Sequence, residues 1–256
     1  MTASKQEVNY WFNRRCAKAF WSQRELPPYK QLLEDTVAWL EPRPGQRWLD
    51  LGCGSGQLTR RLWLDSNGTL AEVVATDCAA VNEQSIARVA AEVEPQPAPG
   101  VLRFQQGDFS EGLPHFADQY FDGAVSGLAI QYAQHFCRES GRWTSRAYDR
   151  LLAEVCRVLK PGGRFVFSVN VPRPSWWRIA LLGLPGFFQA RRPLRFVKDS
   201  LRMLRYGSWL KQQAARGRFH YLPANQVTAK LKAGGFSEVE YRMSFSQQAY
   251  VFRAVK

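Results

Sequence analysis

The sequence predicts an α/β fold with a doubly wound, largely parallel sheet and helices on both of its faces. Short apolar runs typical of strands alternate with helical patterns through the middle of the chain, and this alternation builds a parallel sheet. A glycine-rich turn follows the first of these runs, where such folds place a ligand. The 256 residues are 45% hydrophobic, which suits one globular domain with a complete core.

The predicted strands and helices follow one another in chain order. The first five strands are Arg47–Leu51, Ala71–Asp77, Val101–Gln105, Phe121–Ser126 and Arg164–Val169. Helices are predicted at Gln57–Leu64, Ala79–Val93 and Ser145–Leu159, the last of them stopped by Lys160–Gly163. A helix at Asn225–Ala233 and strands at Phe236–Tyr241 and Gln248–Val255 complete the series. Because no helix separates the last two strands, we expect them to form a hairpin at the edge of the sheet.

Two segments stand outside this alternation. Residues 5–41 have helical patterns, and Pro27-Pro28 begins the second of them. Residues 171–222 interrupt the series after the fifth strand. We therefore interpret residues 1–256 as a single domain, with an N-terminal helical cap over residues 1–41 and a helical insertion over residues 171–222 that forms a lid.

The segment Asp50-Leu51-Gly52-Cys53-Gly54-Ser55-Gly56 lies between a predicted strand and a predicted helix. Glycines at these positions let the backbone turn sharply and approach a ligand closely. Their G-x-G-x-G spacing differs from the G-x-G-x-x-G spacing that cradles a dinucleotide pyrophosphate. Asp50 would repel a pyrophosphate, whereas its carboxylate suits the ammonium group of an amino-acid moiety.

Further motifs follow this loop in order along the chain. Asp77 ends the second strand, Gly107-Asp108-Phe109 follows the third, and Phe121–Ser126 forms the fourth. The helix after them closes in Glu154–Gly163, which has the form "RVLKPGG" at its end. Together these motifs resemble the class I S-adenosylmethionine-dependent methyltransferases, within the small-molecule type similar to the ubiquinone/menaquinone C-methyltransferases.

The resemblance covers about Trp48 to Val169 and the closing strands. It implies a Rossmann-like sheet of seven strands, parallel with one antiparallel edge strand, and S-adenosyl-L-methionine as the cofactor. In that family the acid in place of Asp77 binds the ribose hydroxyls, and the acid in place of Asp108 accepts from the adenine amino group. The cofactor-binding residues expected on this basis are Asp50, Gly52, Gly54, Gly56, Asp77, Cys78, Asp108, Phe109 and Ser126.

Residues that face the methyl acceptor are expected from the end of the fourth strand, the N-terminal helices and the segment after the fifth strand. The expected substrate-binding residues are Tyr10, Trp11, Gln131 and Asn170. His135 is the candidate general base and Tyr132 the second catalytic candidate; a base is required only if the acceptor must lose a proton. A solvated loop position for His135 and a core position for Tyr132 remain open alternatives.

The net charge of +13 is concentrated in one part of the chain. The stretch Asn170–Arg218 contains eleven Lys and Arg residues and one acid, and Leu194–Arg205 combines an apolar stripe with a basic one at helical spacing. Three interpretations stay open: a lid with solvated charges, a lid that also docks on an anionic membrane surface and admits a lipid-like acceptor, and a surface that binds RNA phosphates.

Composition excludes several classes. Five cysteines without C-x-x-C spacing and three histidines predict no metal site and suit a reducing cytoplasm. Neither a leader nor an apolar run of about 18 residues is present. The Pro-Cys and Asn/Asp-Pro-Pro-aromatic motifs of two RNA methyltransferase classes are absent. The leading hypothesis is in-line methyl transfer to a small hydrophobic or lipid-like acceptor by a cytoplasmic enzyme that is peripheral at the membrane if its lid docks there. The alternatives are an RNA methyltransferase and a non-catalytic cofactor-binding or membrane-associating module.

Overall fold

The computed structural model describes residues 10–12, 27–175 and 207–256. Within them, a seven-stranded sheet has the order β3-β2-β1-β4-β7-β9-β8. Its strands are β1 Arg47–Leu51, β2 Glu72–Asp77, β3 Leu102–Gln106, β4 Phe121–Gly127, β7 Leu159–Asn170, β8 Glu238–Ser244 and β9 Ala249–Val255. A separate antiparallel hairpin consists of β5 His135–Cys137 and β6 Arg142–Thr144.

The sheet confirms the predicted doubly wound architecture with a closing hairpin. Five strands, β3, β2, β1, β4 and β7, run parallel to one another. Strand β9 runs antiparallel to both β7 and β8. The antiparallel strand lies one position inside the edge, and β8 is outermost. Burial accounts for this order, because β9 is mostly buried and the side chains of β8 are mostly exposed.

Helices cover both faces of the sheet. They are α1 Pro27–Val37, α2 Gln57–Asp65, α3 Glu83–Glu92, α4 Arg146–Val158, α5 at residues 207–215 and α6 Ala224–Ala233. Buried side chains of α4 and α6 form one core with the sheet, and those of α1, α2 and α3 form another on the opposite face. In α4 the buried residues recur every three or four positions, from Tyr148 through Leu152 to Val155, so one side of the helix faces the sheet.

The end of α4 differs from the prediction. The helix ends at Val158, and β7 begins at Leu159, five residues before the predicted start at Arg164. Phe121 pairs with Leu159 whereas Gly123 pairs with Arg164, so the Pro-Gly-Gly stretch bulges out of the strand. The motif that stops the helix therefore also begins the next strand.

The hairpin β5–β6 was not predicted, because its three-residue strands are too short to show alternation. Several expectations lie outside the described residues: the apolar segment Trp176–Phe188, the amphipathic helix at Leu194–Arg205 and most of the N-terminal helical segment. Among the residues that are described, no helix is both long enough and apolar enough to cross a membrane.

Candidate active site

A cavity opens at the carboxyl ends of β1, β2 and β4. At this point β2 and β3 extend the sheet to one side of β1, and β4 and the later strands extend it to the other. Ligands of doubly wound folds bind at this position, because loops diverge there and leave a crevice. The lining residues are Trp11, Tyr29, Asp50, Gly52, Cys53, Gly54, Ser55, Gln57, Leu58, Asp77, Cys78, Asn82, Asp108, Phe109, Gly127, Leu128, Ala129, Tyr132, Asn170 and Phe245.

The glycine loop between β1 and α2 forms one wall of the cavity. Gly52 has a φ of 71°, and a Cβ atom added to it would lie 2.4 Å from the Cβ of Ala129. Gly54 has a φ of 51°, and no atom would lie within 4 Å of a Cβ added there. Gly52 therefore permits close packing against the β4 loop, and Gly54 leaves space for a ligand beside the backbone.

Asp50 is fully buried at the end of β1. Its Oδ2 accepts a hydrogen bond from Thr59 Oγ1 at 2.6 Å, while its Oδ1 has no hydrogen-bond partner in the described part of the chain. Burial raises the pKa of Asp50 to about 7, and the nearby Asp77 carboxylate contributes to the rise. A cationic partner would stabilise the ionised form of this buried carboxylate, and an ammonium group is suited to that role.

Asp77, at the end of β2, hydrogen-bonds both the glycine loop and the segment that follows β2. Its Oδ2 accepts from the backbone N–H of Gly54 at 3.0 Å, and its Oδ1 accepts from the N–H of Ala79 at 2.9 Å. The side chains of Asn82 and Cys78 also hydrogen-bond this carboxylate, and these bonds oppose the rise in the pKa of Asp77 that burial causes. Asn82, almost fully buried beside it, has an Oδ1 without a partner among the described residues. Both side chains are thus suited to a hydroxylated group.

Asp108 and Phe109 follow β3 as the motif predicts. Asp108 Oδ1 accepts from the N–H of Ser110 at 2.9 Å and so caps the short helix Phe109–Glu111. This turn directs the ring of Phe109 towards the glycine loop, where it would lie 3.4 Å from a Cβ added to Gly52. Asp108, Phe109 and Cys78 therefore line the cavity beside Asp77, in the arrangement expected for an adenine site. The residues present fit S-adenosylmethionine.

Part of the cavity wall is aromatic, and we call this part the aromatic end. The rings of Trp11 and Tyr132 lie 4.7 Å apart between centroids, and Tyr29, Leu128 and Phe245 complete this wall. Burial raises the pKa of both Tyr29 and Tyr132 to about 12, so both hydroxyls are neutral at physiological pH. This end can exclude water and contact an apolar ring, which distinguishes it from the acidic part of the wall.

Four of the predicted site residues do not line this cavity. A Cβ on Gly56 would contact Ile86 and Val89, so this glycine allows α2 and α3 to pack closely. The Ser126 hydroxyl donates to the carbonyl of Leu51 at 2.7 Å and joins β4 to β1. The other two are Gln131 and His135.

Gln131 is fully buried and acts within the protein. Its Oε1 accepts from the N–H of Asn170 at 2.7 Å, and its Nε2 donates to the carbonyl of Leu128. His135 lies in β5, where its Nδ1 is 2.8 Å from Thr144 Oγ1. Tyr10 belongs to a single helical turn, Tyr10–Phe12, but its side chain is outside the described part.

Several lining residues were missed by reasoning from the sequence. Tyr29 follows the Pro-Pro helix start, which is confirmed, and the first turn of α1 carries it into the cavity. Phe245 lies in the turn between β8 and β9 with a φ of 52°. Because β8 runs in the same direction as β7, this turn reaches the edge of the sheet where the cavity lies. No local pattern signals a residue brought there by strand order.

Comparisons with known proteins agree with this geometry. The family model described as "Methyltransferase domain" matches residues 49–167. The chain is similar to the ubiquinone/menaquinone biosynthesis C-methyltransferase UbiE of Acidiphilium cryptum, with 27% identity over 216 residues that cover 80% of this chain and 72% of the relative. It is also similar to 2-phytyl-1,4-naphtoquinone methyltransferase of Synechococcus elongatus, with 33% identity over 129 residues, or 50% of this chain and 47% of the relative.

Solved structures share the fold at lower sequence identity. Phosphoethanolamine N-methyltransferase 2 of Haemonchus contortus, in complex with S-adenosyl-L-methionine, superposes with a TM-score of 0.60 at 15% identity. The match covers 100% of this chain and 60% of that one. The family match spans the strands that carry the glycine loop and the acids around it. Together with the relatives and the shared fold, it supports a class I S-adenosylmethionine-dependent methyltransferase.

Proposed function

We propose that this enzyme transfers the methyl group of S-adenosylmethionine to a small, apolar acceptor with a flat ring. The observation that carries the proposal is that one cavity is lined both by acids, Asp50 and Asp77, and by an aromatic pair, Trp11 and Tyr132. The acids suit the cofactor, and the aromatic pair suits an apolar ring. Two of the relatives named above are, by their names, enzymes of quinone biosynthesis or quinone methylation, which supports this class of acceptor.

S-adenosylmethionine, when bound, supplies a methyl group on a positively charged sulfur, which is already activated for transfer. The chain has to hold the donor and the acceptor in line. Asp50 would bind the ammonium group with its unpaired Oδ1, Asp77 the ribose hydroxyls and Asp108 the adenine amino group. The open space at Gly54 would let the backbone approach the donor closely. Such positioning contributes roughly 7–11 kcal/mol to barrier lowering in favourable cases.

At the aromatic end, the walls exclude water and orient the acceptor. Tyr132 is neutral at physiological pH because burial raises its pKa, so it can donate a hydrogen bond but is a poor general base. We therefore assign Tyr132 an orienting role, with Trp11 packed against it. His135 remains the candidate base proposed from the sequence, and its position in β5 makes it testable by a matched pair of variants described below.

The insertion over residues 171–222 enters and leaves the fold beside the aromatic end. On the N-terminal side of the insertion, β7 ends at Asn170, which lines the cavity. The C-terminal part of the insertion contributes to one small apolar cluster. In it, Leu210 of α5, Phe219 and Tyr221 pack with Tyr132 and Trp11. This placement of both ends supports a lid over the acceptor. We propose in addition that the basic stretch within it docks the enzyme on an anionic lipid surface from which an apolar acceptor is taken.

The experiment is methyl transfer from radiolabelled S-adenosylmethionine to a lipid extract, a reduced naphthoquinone probe and total RNA, run in parallel. We expect label in the organic-extractable fraction and in the naphthoquinone probe, and none when Asp50→Asn replaces the wild type. Vesicles containing phosphatidylserine should sediment the protein, whereas neutral vesicles should not. Label confined to RNA would overturn the proposed acceptor, and failure of S-adenosylmethionine to bind would overturn the proposal as a whole.

A further inference from the structure

Asn170 ends β7 at the floor of the cavity and is almost completely buried. Its backbone N–H donates to Gln131 Oε1. Burial raises the pKa of the Tyr221 phenol, and a hydrogen bond from the Asn170 side chain opposes that rise, which indicates that the Asn170 amide is the donor. The side-chain Oδ1 has no hydrogen-bond partner among residues 10–12, 27–175 and 207–256. A buried amide oxygen without a partner is costly, and here it borders a cavity that a ligand enters.

Tyr221 links Asn170 to Tyr132 from behind the cavity wall. The hydroxyl oxygens of Tyr221 and Tyr132 are 3.2 Å apart, and both residues are buried. Because the Tyr221 oxygen accepts from the Asn170 amide, its own proton is best used in donating to Tyr132. With the hydrogen bonds running from Asn170 through Tyr221 to Tyr132, the Tyr132 oxygen accepts and its own proton remains available. Because Tyr132 lines the cavity, a ligand can accept that proton in a hydrogen bond.

The floor of the cavity therefore presents two complementary groups to a ligand. Asn170 offers an acceptor oxygen, and Tyr132, whose ring packs in a small apolar cluster, offers a donor hydroxyl. A ligand hydroxyl matches the pair, because it can donate to the first and accept from the second. A methyl ether of the same ring can accept but not donate, and it would leave Asn170 Oδ1 unpaired.

We propose that Asn170 and Tyr132 bind a hydroxyl group on the ring of the methyl acceptor and thereby select hydroxylated rings over the same rings without an O–H donor. This inference rests on the proposed ring-bearing acceptor and adds the group by which the ring is recognised. Asn170 is the specificity-determining residue. Tyr221 is a positioning residue, because it holds the Asn170 amide and orders the direction of the hydrogen bonds.

The test compares two probes that differ at this one group, 1-naphthol and 1-methoxynaphthalene. Their dissociation constants are measured by calorimetry in the presence of saturating S-adenosylhomocysteine. We expect wild type to bind 1-naphthol about tenfold more tightly than its methyl ether. Asn170→Leu should bring the two within about twofold. Asn170→Asp keeps an acceptor oxygen but loses the amide N–H that donates to Tyr221, so it should retain only about a threefold preference.

Tyr221→Phe provides a second measurement that does not alter the cavity wall. It should reduce the preference for 1-naphthol to about threefold without changing the affinity for S-adenosylhomocysteine, an outcome that a merely structural role would not produce. Where Asn170→Leu fails to fold, Asn170→Asp and Tyr221→Phe decide the question. Equal binding of both probes to wild type, or an unchanged preference in Asn170→Leu and Tyr221→Phe, would overturn the inference and leave the proposed function intact. Failure of both probes to bind wild type would overturn the ring acceptor itself.

Discussion

Thr59 Oγ1 donates a 2.6 Å hydrogen bond to one oxygen of the Asp50 carboxylate, and the second oxygen has no partner among the described residues. Asp50 is the second-last residue of β1 and Thr59 lies in α2, so the bond spans the glycine loop between them. Both residues are fully buried. The carboxylate is thus held in place with half of its hydrogen-bonding capacity directed to a ligand, at a cost to the stability of the free protein.

Replacing Asp50 by Asn should have opposite effects on stability and on ligand binding. Burial raises the pKa of Asp50 to about 7, so between pH 4 and 7 the folded state holds a proton that the unfolded state has lost. Stability therefore decreases as pH rises through this window, and at pH 8 the charged carboxylate is destabilising. We expect Asp50→Asn to raise the melting temperature at pH 8 by several degrees while weakening S-adenosylhomocysteine binding at least 100-fold.

The measurements are thermal denaturation and calorimetry on the same preparations. Asp118→Asn is the control, because Asp118 is largely exposed and lies outside the cavity wall. It should change neither property appreciably. An Asp50→Asn protein that binds S-adenosylhomocysteine as wild type does would refute the role given to this carboxylate.

Cofactor affinity should depend on pH through the same group. Asp50 binds an ammonium group only when it is ionised, and in the free protein it is protonated below about pH 7. The dissociation constant of S-adenosylhomocysteine should therefore rise as pH falls from 7.5 to 5.5, approaching tenfold per pH unit at the acidic end. Calorimetry at several pH values checks this slope. A flat profile would show that ionisation of Asp50 is not coupled to binding.

Three glycine-to-alanine variants distinguish strain from ligand contact. Gly52→Ala places a Cβ 2.4 Å from Ala129 and should reduce both thermal stability and S-adenosylhomocysteine binding. Gly54→Ala meets no protein atom within 4 Å, so it should lose binding with only about 1–2 kcal/mol of backbone strain. Gly45→Ala is the matched control: it has positive φ and open space, but lies away from the cavity. It should show the strain alone, and loss of binding in this variant would contradict the assignment of Gly54.

The two catalytic candidates make different predictions. Tyr132 lines the cavity, whereas His135 lies in the β5–β6 hairpin, bonded to Thr144. We expect Tyr132→Phe to lower kcat about tenfold and His135→Ala to lower it less than threefold, measured by methyl transfer to the lipid extract. Thr144→Val breaks the same hydrogen bond and reports any disturbance of the hairpin. A 100-fold loss in His135→Ala that Thr144→Val does not share would instead establish His135 as the base.

The cofactor end of the cavity could be predicted because its signals are local in the sequence. Gly52 and Gly54 need positive φ, Asp77 is the last residue of β2, and Asp108 lies two residues after the end of β3. Once the strands are parallel, their carboxyl ends meet at one edge of the sheet and bring these residues together. Gly56 and Ser126 are exceptions: Gly56 packs against α3, and the Ser126 hydroxyl bonds Leu51 rather than lining the cavity. Which face a strand residue presents there depends on register, which a motif does not report.

The acceptor end could not be predicted in the same way. Gln131 and Tyr132 are neighbours in one short helical turn, yet one supports Asn170 from inside the protein and the other lines the cavity. Phe245 is distant in sequence and reaches the site only through the order of the last strands. Such contacts depend on how separate elements pack, and a single sequence carries no local record of them.

Neighbouring residues along the chain are enough to specify the fold class, the glycine loop and the acids around it, because each depends on local conformation or spacing. Folding in three dimensions adds that Asp50 keeps one unpaired oxygen, that Trp11 meets Tyr132, and that Asn170 is joined to Tyr132 through Tyr221. These features arise from burial and long-range packing, which set the pKa values and hydrogen-bond directions on which recognition of the acceptor depends.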